Sequence, residues 1–474
     1  MTAPPTAATA PGWSPRHDRP VRPRLLPLSP GWPLTALLLL YPLWWVLGMG
    51  TLILFVLALP MVVHLARRRP VAVPRGFGIW VFFLVWVVAS TLMLGMDPPG
   101  VLAESAAGRI IPVAYYLAGY LAATIVLLYV GNLTEEEYPR RRLVRNMGVF
   151  FVVVVVGGLL GILVPAFDLT SPVELLLPGW MSSNGFVQSL VHPVSAQLHD
   201  VLGYEAPRPA APFGYTNIWG NAFALLLGWF VLSFFRGAGT PRRIAGAAIL
   251  ALAAIPVVYS LNRGLWISLG LALAFMTVRL AVRGRVAALG ALVVALAVAA
   301  VVVLASPLSG IVADRLDNPH SNDIRTFTTV KTLEVVGHSP VLGLGATRSA
   351  MGSANSIAVG ETPDCPSCGN PILGSNGQVW LVLISQGYGG LVLFLSFFVY
   401  CGWVYRRDQS AIGDAGLLTL LLCLFFMFIY NAVAIPLTIA FLSIGLLWRN
   451  QRDGGGSVLP AARRTAHPLQ EFPA

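Results

Sequence analysis

Two arginines stand where an apolar chain has no ordinary use for them. Arg263 lies in "YSLNRGLWISLG", residues 259–270, between two long apolar runs, and Arg325 closes "DNPHSNDIR" in a polar stretch. A charged side chain in or beside a membrane span costs about 3 kcal/mol or more unless it reaches water or a partner. Arg263 directly precedes an apolar run of helical length, so it sits beside the free backbone N–H groups of a helix start, which outlines an anion site. The competing reading is an arginine that only snorkels to lipid headgroups. Arg348 follows "HSPVLGLGATR", a glycine-rich stretch whose backbone could approach a ligand closely. Arg263, Arg325 and Arg348 converging on one cavity would suit a diphosphate, because guanidinium forks bind phosphate oxygens in pairs and stay charged. For Lys331, and for Arg315 beside Asp314, a solvated ion pair is the better reading.

Acid–base chemistry has several candidates and no decisive one. His192 and His199 lie in one polar stretch, His320 and His338 in another, and Asp323 stands two residues before Arg325. Any of these could act as a general base if geometry placed it beside an acceptor hydroxyl. Cys365 and Cys368 form "CPSC". That pair reads as a short-range disulfide on an oxidising face, with a metal half-site or a redox pair as the alternatives. No second ligand pair at zinc spacing accompanies it, and no Walker or DxD-like motif occurs, so no metal or cofactor is expected and a substrate must arrive already activated.

These residues must be positioned by helices. Of 474 residues, 56% are hydrophobic and 11% charged, against about 25% charged in soluble globular domains. Mean hydropathy is +0.74. Apolar runs of some 17 to 25 residues recur, which reads as an all-α polytopic membrane protein rather than a barrel. About twelve spans are predicted, near 33–48, 51–66, 77–94, 110–130, 148–165, 217–235, 244–260, 264–281, 286–305, 378–404, 415–430 and 432–448. Residues 1–30 and 449–474 read as disordered cytoplasmic tails around a transmembrane domain at 31–448.

Arginine placement sets the predicted orientation. With a cytoplasmic N-terminus, 24 of the 31 basic residues fall in cytoplasmic segments, as the positive-inside rule requires. The net charge of +11 is thus explained by membrane orientation, and no compact basic domain exists for nucleic acid. Two long external loops, about 166–216 and 306–377, make the outer face the working one. Ile324, Phe327, Val330, Leu333 and Val336 recur at helical spacing through "SNDIRTFTTVKTLEVVG", which predicts an amphipathic loop helix ending near Gly337.

On these motifs the chain resembles the O-antigen ligase and O-antigen polymerase superfamily. "YSLNRGLWISLG" opening a span, "DIRTFTTVKTLEVVGHSPVLGLG" in the large loop and "GSNGQVWLVLISQGYGGLVLFL" entering the next span carry the likeness, over roughly residues 215 to 405. The resemblance implies a GT-C type fold in a bacterial plasma (inner) membrane. It implies metal-independent, inverting transfer of a glycan from a polyprenyl-diphosphate carrier to a saccharide or lipid-glycan acceptor outside. Arg263 and Arg325 would then hold the donor's diphosphate. The histidine that closes the loop in that family falls on Ser375, followed by the family's asparagine as Asn376. A serine hydroxyl is not basic near neutral pH, so His320, His338 or Asp323 would have to supply the base, or a well-stabilised diphosphate leaving group makes a strong base unnecessary.

Two other readings remain at the level of sequence. A transporter or flippase of polyprenyl-linked sugars would bind a similar ligand, but should carry ionisable residues at mid-span and interrupted helices in both halves. Almost every charge here lies at span ends or in loops. A scaffold with a decayed site is the third reading, and Ser375 keeps it open.

Overall fold

The computed structural model describes residues 29–182, 185–200, 205–291, 321–353 and 369–454, together with 293, 294, 297 and 310. The first helices are α1 (Trp32–Leu39), α2 (Tyr41–Val46), α3 (Ile53–Ala66), α4 (Phe77–Ser90), α5 (Ile110–Asn132) and α6 (Arg140–Leu163). Three short helices follow, α7 (Pro172–Leu176), α8 (Gly179–Ser182) and α9 (Gly185–Val191), then the antiparallel pair β1 (Ala196–Asp200) and β2 (Glu205–Pro209). The chain continues through α10 (Thr216–Phe235), α11 (Thr240–Tyr259), α12 (Arg263–Val282), α13 (Ser321–Val336), the two-residue strands β3 (Arg348–Ser349) and β4 (Ile372–Leu373), α14 (Gln378–Tyr405), α15 (Ala411–Met427) and α16 (Ile435–Arg452).

This is an all-α membrane protein. Among the described residues six helices are long and apolar enough to cross a bilayer, at Ala106–Asn132, Arg140–Leu163, Thr216–Phe235, Thr240–Tyr259, Arg263–Val282 and Gln378–Tyr405. Ile53–Ala66, Phe77–Met93 and Ala411–Met427 are apolar but shorter. The span predicted at 33–48 is instead two short helices separated at Leu40, just before Pro42, whose ring removes a backbone donor. Most of the span predicted at 286–305 lies outside the described residues.

Helix α16 is the axis of the bundle, since every residue from Ile435 to Asn450 is buried. Its Ser443 turns inward and is satisfied there: Trp229 donates to Ser443 at 3.1 Å and to Thr419 of α15 at 3.0 Å. With no hydrophobic drive between helices in lipid, such contacts and close apolar packing hold a bundle together. One aromatic cluster, Trp80 with Phe394, Phe397, Phe398 and Phe441, joins α4, α14 and α16 at centroid separations from 4.8 to 6.2 Å.

Helix α14 is broken. Gly387 has φ 65 inside it, a left-handed backbone that favours glycine. The break frees carbonyls, and the segment after α13 takes them: Leu344 and Gly345 donate to Ile384 and Ser385, each at 2.8 Å, while Tyr388 donates to Pro340. Two glycines permit the approach, for a β-carbon on Gly343 would lie 2.4 Å from the Gly387 nitrogen and one on Gly387 would lie 2.5 Å from the Val341 carbonyl. The glycines of "HSPVLGLG" therefore bring backbone to backbone, not to a ligand as the sequence suggests. Irregular backbone in a span is tolerated where protein buries it, as here.

Candidate functional site

Helix α12 begins at Arg263 because Asn262 caps it, accepting from the Leu265 N–H at 2.9 Å. The Asn262 carbonyl oxygen also accepts from the Tyr430 hydroxyl. Tyr430 lies in the turn between α15 and α16 and lies over Gly264, where a β-carbon would meet its hydroxyl at 2.8 Å. Arg325, on the first turns of α13, donates from Nη1 to the Ile429 carbonyl at 3.1 Å and sets its guanidinium 5.3 Å from the Tyr430 ring centroid. Arg208 of β2 donates to the Ser260 carbonyl at 2.7 Å, two residues before the cap, and the charges of Arg325 and Arg208 both reach the buried Tyr430 hydroxyl. Arg208, Arg325 and the half-buried Arg263 thus belong to one corner of the molecule, drawn from three distant parts of the chain.

The same corner holds the backbone strain. The two non-glycine residues with positive φ among the described residues are Leu261, at 52°, directly before the cap, and Ala434, at 74°, four residues after Tyr430. Each such residue costs on the order of 1 to 3 kcal/mol and persists only where its surroundings hold it, which is common at ligand sites. What holds this turn is α14: Gln378 donates to Tyr120 at 2.8 Å and accepts from the Ala432 N–H at 3.0 Å, its own N–H donates to the Tyr430 carbonyl, and Trp380 donates to the Phe428 carbonyl. Asn262 Nδ2 is buried without a hydrogen-bond partner, next to Gly220 of α10.

The remaining predicted site residues divide. Asn376 donates to Thr328 Oγ1 at 2.6 Å, one helical turn from Arg325, so it belongs to the corner. Ser375 is exposed beside it and donates to the Ile372 carbonyl at 2.7 Å. Asp323 is exposed in the first turn of α13. His338 is not with them: it sits past the far end of α13, and the rise from Arg325 to Val336 is about 17 Å at 1.5 Å per residue. Its Nδ1 lies 3.3 Å from the Val335 carbonyl, a contact with the helix end. His320, Cys365 and Cys368 lie outside the described residues.

Arg348 is a correction. Its side chain is 0% exposed, and it donates to the carbonyls of Leu344, Ala346, Thr347 and Met96 at 2.9 to 3.0 Å, with Asp97 at 3.6 Å. Burial, together with the charge of Arg109, pulls this guanidinium down to about 10 against Asp97 and Glu104. Arg348 ties the end of α4 to the loop that enters the α14 break, and leaves no donor facing outward for a phosphate. Sequence reasoning also passed over Arg208 and Tyr430. Arg208 carried a signal as a basic residue on the arginine-poor face, whereas nothing local marked Tyr430.

No family model and no curated protein matches this sequence. The functional reading therefore rests on the motifs and on this geometry.

Proposed function

We propose that the chain is a membrane glycosyltransferase of the O-antigen ligase-like kind, with a GT-C type fold and about twelve spans. On this reading it transfers a glycan from a polyprenyl-diphosphate carrier to an envelope acceptor on the external face. The single observation behind the reading is the corner where Arg208 and Arg325 lie about Tyr430 and Arg263 opens the helix capped by Asn262, on the arginine-poor side of the bundle. An anionic diphosphate is the ligand whose charge and paired oxygens such a set of guanidinium groups fits.

In the proposed reaction the acceptor hydroxyl oxygen attacks the anomeric carbon, and the bond from that carbon to the diphosphate oxygen breaks with its electron pair leaving on the diphosphate. Arg263 and Arg325 stabilise that developing charge, which is worth most in a site shielded from water. The acceptor proton passes to the departing diphosphate or to Asp323, the exposed carboxylate two residues from Arg325. Ser375 acts as a hydrogen-bonding group and not as a base.

The transporter reading draws on one observation, the interrupted helix α14. Its freed carbonyls are taken up by Leu344 and Gly345 rather than left for an ion, so the enzyme reading stands ahead. The test incubates purified protein with a polyprenyl-diphosphate glycan and candidate acceptors. Arg263→Ala and Arg325→Ala are each expected to lose transfer by about a hundredfold, the scale of removing one preorganised donor to developing charge. Full activity in both variants refutes the site, and carrier movement without transfer establishes the transporter.

A further inference from the structure

At the opposite end of the bundle lies a second basic feature that the proposed reaction does not use. Helix α10 starts beside Arg208, to whose carbonyl Thr216 donates at 3.3 Å, and its last turn borders a cavity of about 480 Å³. Arg141, Arg142 and Arg145 of α6, Arg236 after α10 and Arg242 of α11 line this cavity. Pro139, Leu232 and Ala411, each at least partly exposed, contribute apolar wall to the same hollow.

Arginines are expected at this end of a membrane protein, so their presence alone decides nothing. What sets five of them apart is that, without carboxylate partners, they converge on one hollow. At the same end Arg68 meets Glu137 at 2.5 Å, Arg140 meets Glu135 at 2.5 Å, Arg279 and Arg283 share Asp414 at 2.7 and 2.6 Å, and Arg449 meets Glu135 at 3.0 Å. Among the described residues, by contrast, none of the five cavity arginines has a carboxylate within ion-pairing distance, and no acidic residue lines the cavity. Arg242 donates to Ser233 at 2.9 Å, and Arg142 lies 5.5 Å from the Tyr138 ring centroid; both are neutral partners. Five like charges are thus held around one hollow with nothing of opposite sign.

The helices make this arrangement dearer still. Arg141 and Arg142 stand in the first turn of α6, which carries no acidic residue, and Arg242 in the first turn of α11. A helix N-terminus bears partial positive charge, so cations there are unfavourable and anions favourable. The first turn of α15, Ala411 and Ile412 after its cap Ser410, also faces the cavity, and the acidic residue of that turn, Asp414, is taken up by Arg279 and Arg283. An anion in the hollow would reverse the sign of all these terms. The volume lies in the usual range for small-ligand pockets.

We infer that this cavity is a binding site for the phosphate group of an anionic membrane phospholipid, held by Arg141, Arg142, Arg145, Arg236 and Arg242 against apolar wall at the end of the spans. A lipid fits better than a free anion because Pro139, Leu232 and Ala411, which line the hollow and are at least partly exposed, offer surface to acyl carbon beside the phosphate, and basic pockets between membrane helices recognise such headgroups. The inference is independent of the transferase reading, since none of these residues belongs to the outer corner.

The test measures lipid retention by native mass spectrometry of the purified full chain in detergent, with added phosphatidylglycerol, phosphatidylcholine or inorganic pyrophosphate. Phosphatidylglycerol is expected to be retained at least tenfold more tightly than phosphatidylcholine. That preference falls at least tenfold in Arg145→Gln/Arg242→Gln, and stays intact in Arg67→Gln, an exposed arginine of the same end outside the cavity. If the first pair does not fold, Arg141→Gln/Arg142→Gln serves in its place, and the preference of the wild type is measurable without any variant. Equal retention of the two lipids by the wild type overturns the inference, as does an unchanged preference in the folded variant pair. Pyrophosphate bound with the same arginine dependence, without retention of phosphatidylglycerol, overturns the lipid assignment in favour of a soluble phosphate ligand.

Discussion

Arg348→Met separates two roles that sequence alone merges. Methionine keeps much of the length and the apolar stem but removes every donor. Four carbonyls, those of Leu344, Ala346, Thr347 and Met96, lose a charge-assisted bond at 2.9 to 3.0 Å. Bonds of that kind contribute about 1.5 to 3 kcal/mol each, which would give some 6 kcal/mol or more if all were lost without recompense. Two effects reduce the figure. Removing the cation also removes its burial cost, visible in a guanidinium lowered to about 10, and some freed carbonyls will admit water. A net loss of about 3 kcal/mol is therefore expected, at the lower edge of what breaking a buried charge network costs.

The assay is thermal unfolding of the detergent-purified protein, read alongside binding of a polyprenyl-diphosphate glycan well below both midpoints. The midpoint should fall by several degrees, at roughly 2 °C or more per kcal/mol, while the folded variant binds the donor with wild-type affinity. Arg325→Met should do the reverse, because the Arg325 guanidinium meets one carbonyl and the face of a ring. An Arg348→Met protein that melts like the wild type and loses donor binding tenfold would refute the assignment of Arg348 to architecture.

Other consequences follow from the same geometry. Gly387→Ala forces a β-carbon to 2.5 Å from the Val341 carbonyl at φ 65, so it should destabilise by more than the roughly 1 to 2 kcal/mol of left-handed strain alone, seen as a lowered unfolding midpoint; a midpoint within a degree of wild type would show that the loop does not seat in the break. Ala434→Gly relieves φ 74 and should raise the midpoint by the equivalent of about 1 kcal/mol; a fall instead would mean the turn is not strained. His192 bonds Glu174 and Asp168, each at 2.7 Å, and although burial opposes its protonation, these two carboxylates raise its pKa. A raised pKa gives stability that is complete below the unfolded-state value, near 6.5, and is lost as pH rises through the folded value. The midpoint should therefore decline as pH rises above about 6.5 by more in the wild type than in His192→Gln, and parallel pH profiles would exclude the bridge as the cause.

How legible all this was depended on whether the determining interactions were local. The helix across "SNDIRTFTTVKTLEVVG" and its stop at Gly337 follow from spacing and composition within one segment, and the structure places α13 at Ser321–Val336. The start of α12 is equally local, because an asparagine cap and an apolar run identify it. The broken span at 33–48 was readable in principle from Pro42, but hydropathy counts apolar residues and ignores a missing N–H. Arg348 and the glycines before it misled for the opposite reason. A glycine-rich stretch ending in arginine looks the same whether it receives a phosphate or a broken helix, and only the position of Gly387, some forty residues further on, distinguishes the two.

The outer corner shows why the rest could not be read. Tyr430 is an ordinary aromatic at the end of a span until Gly264 leaves room for its ring, the Asn262 side chain accepts its hydroxyl's hydrogen bond and Arg325 lies across its face. Each of those partners lies more than a hundred residues away in sequence, so no window of local pattern contains the relation. The two strained residues make the same point in energetic terms. Neither Leu261 nor Ala434 has a side chain that favours positive φ, so a local rule predicts glycine or asparagine at both places. That rule is broken twice, at the two turns that flank the arginines, and exceptions of this kind are expected where a chain maintains a site at some cost to its own stability. A substitution that relaxes Ala434 and also weakens binding of a diphosphate donor would tie the strain to the ligand, whereas relaxed backbone with unchanged binding would assign it to packing alone.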